Sequence, residues 1–298
     1  MTPALPAGGN RPRRRPLGPV VLLFVGALAA SLVALPPAAF GDEGEEDESG
    51  SDEQEGESRT GHVSGPDECT EGTAEPDYRQ RLHDWREPRP LKRHRWVGGF
   101  REVTFRNIHT NRHEKLVLFD EDGDVTREAK ERIQYIWNNS GTGDGHAIKD
   151  RLITILYFVA VKFDAKELII ISGWRDDREE SATSPHWQGR AADIIVPGTS
   201  NGRVVDYVRT YGKVGVGSYP ISGFVHVDVR NASFFWRDVS GPGQPSCYYE
   251  VDRDLARQYD EEYDAEHDDP RRLSGYRDWA EQQEKRRRHR DDHRDDPP

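Results

Sequence analysis

Apolar residues crowd into one stretch of this chain, from about residue 95 to about residue 240, and the period at which they recur changes along it. Arg95 to Phe105 and Glu114 to Asp120 alternate apolar and polar positions, the rhythm of short strands with one buried face. Asp122-Gly123 marks a turn. From Thr126 the period lengthens. Ala129, Ile133, Ile136 and Trp137 fall on one helical face, Thr126 suits the N-cap, and Asn138-Asn139-Ser140-Gly141 ends the helix. A second helix is predicted over Asp150 to Phe163, with Leu152, Ile155, Leu156 and Val159 turned inward. Leu168 to Ile171 is an unbroken apolar run, the mark of a strand buried on both faces, and residues 176–185 form a polar loop. A strand over Ala191 to Val196, a short helix over Arg203 to Tyr211 and the last strands over Gly215 to Val229 complete the stretch. The expected fold class is α+β, a small antiparallel sheet with flanking helices.

Composition sets the limits of that domain. A core of roughly 140 residues is the usual size of one domain. Ahead of it, residues 1–41 carry basic Arg11 and Arg13 to Arg15, an apolar run from Leu17 to Leu35, and small residues suited to cleavage. That order predicts a signal peptide or an N-terminal membrane anchor, with the bulk of the protein exported to the periplasm or cell envelope. Residues 42–94 are expected as an acidic and polar linker, in part disordered. The domain is placed at 95–240 and a charged C-terminal tail at 241–298. In that tail Leu255, Tyr259 and Tyr263 keep a weak helical spacing, which predicts a frayed helix or a tail rather than a domain. The net charge of −12 argues against nucleic acid as a partner. Two cysteines occur, Cys69 and Cys247. In an oxidising compartment they are candidates for a disulfide, and two unpaired thiols is the other reading.

The chemistry concentrates in two segments, Ser184-Pro-His186-Trp-Gln-Gly189-Arg-Ala191-Ala-Asp193 and Gly223-Phe-Val-His226-Val-Asp228. A His, a carboxylate seven residues on and a second His make a set of nitrogen and oxygen ligands. Three protein ligands with a fourth position left to water is how a catalytic zinc is held. Strand alternation puts His226 and Asp228 on one face and Val225, Val227 and Val229 on the other. A hydrogen-bonded core histidine explains any one of these residues as well, so spacing alone leaves metal site and plain core both open.

Taken together, Ser172-Gly173-Trp174-Arg175, the Ser-x-His-x-x-Gly-x-Ala-x-Asp motif and Gly215-Val-Gly-Ser-Tyr219-Pro-x-Ser-Gly-Phe-Val-His226-Val-Asp228 resemble the M15-type zinc peptidases. The nearest branch is the bacterial one first catalogued as a domain of unknown function, which includes a periplasmic murein endopeptidase. The resemblance runs from about Val103 to about Trp236. It implies a fold like that of D-Ala-D-Ala carboxypeptidases and Hedgehog domains, with one zinc per chain on His186, Asp193 and His226. It also implies hydrolysis of peptidoglycan peptides, first as an endopeptidase on cross-links and second as a carboxypeptidase on a terminal D-alanine.

Many such enzymes carry a Glu three residues before the last ligand, where this chain has Gly223. That departure keeps a catalytically silent wall-binding module in view, and it makes Asp228 the nearest candidate for general base. The alternative role for Asp228 is to orient an imidazole. Arg175 is the candidate clamp for a substrate carboxylate, or else a surface ion-pair residue. Ser184 and Tyr219 are weaker substrate-binding candidates: Ser184 can instead cap its loop, and Tyr219 can stabilise an oxyanion or simply pack. Asp120, Asp122, Asp124, Glu128 and Glu131 are spaced like the oxygen ligands of a calcium loop, but Val125 stands where the sharp turn calls for Gly, so a hairpin turn is preferred. His109 and His113 lie in a strand-and-turn segment and receive no role.

Overall fold

Strand alternation becomes an eight-stranded sheet in the computed structural model, which describes residues 70–88, 94–138, 147–174 and 184–292. A helix α1 (Pro76–Arg86) precedes the short pair β1 (Trp96–Val97) and β2 (Phe100–Arg101). The main strands are β3 (Val103–Asn107), β4 (His113–Leu116), β5 (Glu167–Ser172), β6 (Ala191–Ile195), β7 (Val214–Tyr219), β8 (Phe224–Val229), β9 (Phe234–Asp238) and β10 (Tyr248–Val251). They lie in the order β10-β9-β7-β8-β6-β5-β3-β4. Helices α2 (Arg127–Trp137) and α3 (Asp150–Lys162) follow β4 in succession, α4 (Asn201–Arg209) follows β6, and α5 (Arg253–Glu261) and α6 (Ser274–Asp292) come after β10.

The α+β class is as expected, but the sheet is neither small nor wholly antiparallel. β3 pairs with β5, and β7 with β9, in parallel. Each parallel pair needs a long connection, and α2 with α3 supplies the first. The apolar residues of α2, α3 and α4 pack on one face of the sheet with Val225, Val227, Ala192, Ile194, Val214 and Val216. The expected bounds of α2 and α3 hold closely, but α4 begins two residues before the expected Arg203, and β9 and β10 follow Val229, where the last strand was expected to end. Thr126 caps α2 by accepting from the Ala129 amide. Asp120 Oδ1 accepts from the amides of Asp122 and Asp124, so this carboxylate closes a turn, as preferred over a calcium loop.

Two segments outside the apolar stretch are structured. Within the region expected as linker, α1 starts with Pro76 in its first turn and packs Leu82 against Ile169 and Ile195, with Tyr78 and Trp85 beside it. Within the expected tail, α5 buries Ala256 and lays Leu255 and Tyr259 on the main core, while Tyr276 of α6 packs near Phe100. Cys247 is buried and disulfide-bonded. Cys69 lies outside the described residues, as do Arg175 and the apolar segment 17–35. No helix among the described residues is long and apolar enough to cross a membrane.

Candidate metal centre

The face of the sheet opposite α2, α3 and α4 carries the chemistry, and register alone assembles most of it. Asp193 on β6 stands directly across from His226 on β8. Ser172 on β5 faces Asp193 on its other side, and Gly217 on β7 pairs with both His226 and Trp236 of β9. One row across five strands therefore reads Ser172, Asp193, His226, Gly217, Trp236. The next row holds Ala191, Asp228, Gly215 and Phe234.

His186 reaches this row from the turn before β6. Arg190 N–H donates to the Pro185 carbonyl and Gly189 N–H to the His186 carbonyl, and Gly189 takes a φ of 65°, which a side chain would resist. The turn is tied to β5 by Trp174, whose indole donates to the Trp187 carbonyl at 3.1 Å.

Three ligand-type atoms converge. His186 Nε2 lies 3.2 Å from His226 Nδ1, His226 Nδ1 lies 2.9 Å from Asp193 Oδ1, and His186 Nε2 lies 3.5 Å from Asp193 Oδ1. The three residues are buried, and they are the one group of this kind found among the described residues. A tetrahedral zinc with ligands at about 2.0–2.1 Å holds them about 3.3 Å from one another, so the spacing fits.

The outer partners of the two rings make the fit more than a matter of distance. His186 Nδ1 lies 2.7 Å from the Gly173 carbonyl, which can only accept, so that nitrogen carries the proton and Nε2 presents a lone pair. His226 Nε2 donates to Asp228 Oδ2 at 3.0 Å, which leaves Nδ1 free to present its own. Two lone pairs and a carboxylate aimed at one buried point repel unless a cation or a proton sits among them.

The charges of the site follow from that crowding. Burial alone would lower the pKa of His226, but its hydrogen bonds to Asp193 and Asp228 outweigh this and lift it from 6.5 to about 9. Burial would raise Asp193, yet the neighbouring imidazoles, His186 foremost, hold it well below the usual carboxylate range. Asp228 is likewise held low against its own burial, by hydrogen bonds from His226 and Arg230.

Asp228 is fully buried, and both its oxygens are occupied. Arg230 Nε donates to Oδ1 at 2.6 Å, while Arg230 Nη2 and His226 Nε2 share Oδ2. Asp228 thus stands behind His226, on the side away from the converging atoms. Gly215 makes room for this pair, since a Cβ there would lie 2.1 Å from Asp228 Oδ2. Gly217 does the same for Trp236, whose indole packs against the His226 ring with centroids 5.1 Å apart.

The remaining expected residues fall as follows. Tyr219 ends β7, stacks on Phe224 and accepts from Trp236 Nε1 at 3.2 Å, and burial pushes its hydroxyl well above 10, so it stays protonated. Ser184 uses its carbonyl to accept from the Gln188 amide and so opens the His186 turn. Gly223, where a Glu was sought, has φ of 83°, and the space beyond it is filled by Leu82 of α1. His109 bonds the Ile171 carbonyl, away from the converging atoms. The pattern of the sequence did not reveal Arg230 or Trp236 as members of the site, nor Ser172 Oγ, which is buried across from Asp193 without a partner among the described residues. Arg230 did carry a signal, being the next position on the Asp228 face of β8.

Comparison with known proteins finds similarity over the part of the chain that carries this site. Residues 96–234 match the M15 peptidase family model described as peptidoglycan L,D-endopeptidase MepK. Over that segment the chain is similar to the M15-type peptidases. A curated relative, the probable peptidoglycan L,D-endopeptidase MepK of Haemophilus influenzae, is 26% identical over 141 residues, covering 43% of this chain and 75% of that protein. The match leaves α1, β10, α5 and α6 outside it.

Proposed function

We propose that the protein is a zinc-dependent peptidoglycan endopeptidase that cuts stem-peptide cross-links of the L,D type. The observation that carries this reading is the convergence of His186 Nε2, His226 Nδ1 and Asp193 Oδ1, each imidazole held in the ligand tautomer by a partner behind it. The substrate class comes from the names of the matched family and relative. Action outside the cytoplasm fits both that substrate and the disulfide at Cys247, since such bonds persist in oxidising compartments.

His186, Asp193 and His226 would hold a zinc ion, which would supply Lewis-acid chemistry there. The chain supplies the rest. Asp228 acts as a positioning residue: with both oxygens occupied and its pKa held low, it is a poor proton acceptor, and it fixes the His226 tautomer instead. Tyr219 stays protonated, and because its oxygen only accepts from Trp236, its own O–H can donate to a developing oxyanion. Arg175, outside the described residues, keeps its proposed role as a carboxylate clamp. The N-terminal segment 1–41 is proposed as the export signal or anchor.

Digestion of purified cross-linked muropeptides by the exported chain, followed by mass analysis, tests this. Cleavage of L,D cross-links to uncross-linked stems, lost on chelation, is the expected result. Release of a terminal D-alanine alone would reassign the protein as a carboxypeptidase. No product at full zinc occupancy would make it a wall-binding module.

A further inference from the structure

We propose that Ser172 is a positioning residue of the metal centre: its hydroxyl donates to Asp193 Oδ2 when a cation is held, and so keeps that carboxylate a one-oxygen ligand. The inference deepens the reading above and rests on its assignment of His186, Asp193 and His226 as a zinc site.

Ser172 ends β5 and is buried, and its Oγ has no hydrogen-bond partner among the described residues. A hydroxyl in that state costs free energy, because it has given up water and received nothing in return. Alanine would fill nearly the same space without that cost. The hydroxyl is therefore explained best by a bond that forms in another state of the site.

Register aims it at Asp193. The two residues are direct partners across β5 and β6, and the Cβ atoms of such a pair stand about 4.5–5.5 Å apart. The register shifts between Ile170 and Ser172, so counting from Ile170, on the helix face, does not settle which way Ser172 points. Its other neighbour does. A Cβ on Gly173 would lie 2.6 Å from Trp137 Cβ, in the core beneath α2, which turns Ser172 to the opposite face, that of the metal ligands.

Asp193 has an oxygen to receive the bond. Its contacts with His226 and His186 both fall on Oδ1, and Oδ2 has no partner among the described residues. A carboxylate that gives one oxygen to a cation is held in place by what its other oxygen accepts, and without such a donor it can swing or offer both oxygens. The end of β5 then orients two ligands at once. The Gly173 carbonyl fixes the tautomer of His186, and the adjacent Ser172 hydroxyl fixes the rotamer of Asp193.

Two measurements on the full chain read this without turnover: zinc affinity by competition with a chromophoric chelator, and the denaturant midpoint of the metal-free protein. Ser172→Ala is expected to weaken zinc binding about 10–100-fold, as loss of a ligand's hydrogen-bonding partner does. Its metal-free midpoint should stay or rise, since only an unmatched polar group is removed. Ser222→Ala gives the contrast. Ser222 Oγ donates to the Ser240 carbonyl at 3.3 Å, so that variant should lower the midpoint and leave zinc affinity alone. Cobalt(II) loaded in place of zinc adds a spectroscopic reading: its visible absorption should weaken in Ser172→Ala, as Asp193 brings its second oxygen to the metal, and hold in Ser222→Ala. An unchanged zinc affinity in Ser172→Ala, a loss that only keeps step with a falling midpoint, or a cobalt spectrum identical to the wild type's would overturn the proposal. A wild-type chain that takes up neither metal would overturn the metal centre and this role together, whereas one that binds zinc no more tightly than Ser172→Ala would overturn this role alone.

Discussion

The two faces of the central sheet are built from the same strands but held together by different physics. On β8, Val225, Val227 and Val229 join the helices in a mainly apolar core, while His226 and Asp228, between them, are buried on the other face among charges. The first face gains from area removed from water and is indifferent to which groups do the filling. The second gains little from burial itself. Each of its charged groups is tolerable only because a named partner stands within hydrogen-bond reach: Arg230 for Asp228, Asp228 and Asp193 for His226, the Gly173 carbonyl for His186. The apolar face therefore tolerates loss gradually, and the polar face fails pair by pair.

The largest expected effect is on pH. A metal must displace the extra proton that His226 holds up to about pH 9 in the metal-free protein. Apparent zinc affinity, followed by competition with a chelator, should thus rise about tenfold per pH unit between about 6.5 and 9 and level off above. The metal-free fold should show the opposite slope. A raised pKa in the folded state contributes stability that is complete below the unfolded value of 6.5 and is lost as the pH climbs towards 9. Denaturant midpoints across that window would reveal it, and a flat profile would mean that His226 is not charged between its two carboxylates.

Substitutions on the two faces separate stability from metal binding. Asp228→Asn keeps the shape but breaks the ion pair with Arg230, and should cost about 3–5 kcal/mol in denaturant unfolding together with about 10–100-fold in zinc affinity. Gly215→Ala forces a methyl into the place of Asp228 Oδ2 and should cost about 1–3 kcal/mol by overpacking, with a smaller loss of affinity. Val227→Ala, one position from His226 but on the hydrocarbon face, should also lose about 1–3 kcal/mol while leaving zinc affinity unchanged. Equal loss of affinity in all three would erase the contrast between the faces.

Much of this division is legible in the sequence, and the limits have physical causes. Alternation along Phe224 to Val229 assigns each residue of β8 to its face, because side-chain direction in a strand is a local property. The order of the strands is not local. The parallel pairings of β3 with β5 and β7 with β9 join positions 63 and 19 residues apart, and no short period records them. For the same reason Trp236 could not be placed beside His226. The helix α1 was missed differently: Tyr78, Leu82 and Trp85 do recur at helical spacing behind Pro76, but three apolar residues in a charged segment are a faint signal. The family match stops short of this helix, which nevertheless packs Leu82 where Gly223 leaves room.

Metal content bears most directly on the central claim, that His186, Asp193 and His226 together hold one catalytic zinc. Elemental analysis of the purified full chain, beside His186→Ala, Asp193→Ala and His226→Ala, measures it. The expected result is close to one zinc per wild-type chain, a sharp loss in each variant, and hydrolysis falling with it by more than about a thousandfold. Wild-type protein that takes up no zinc, or three variants that keep it in full, would contradict the claim.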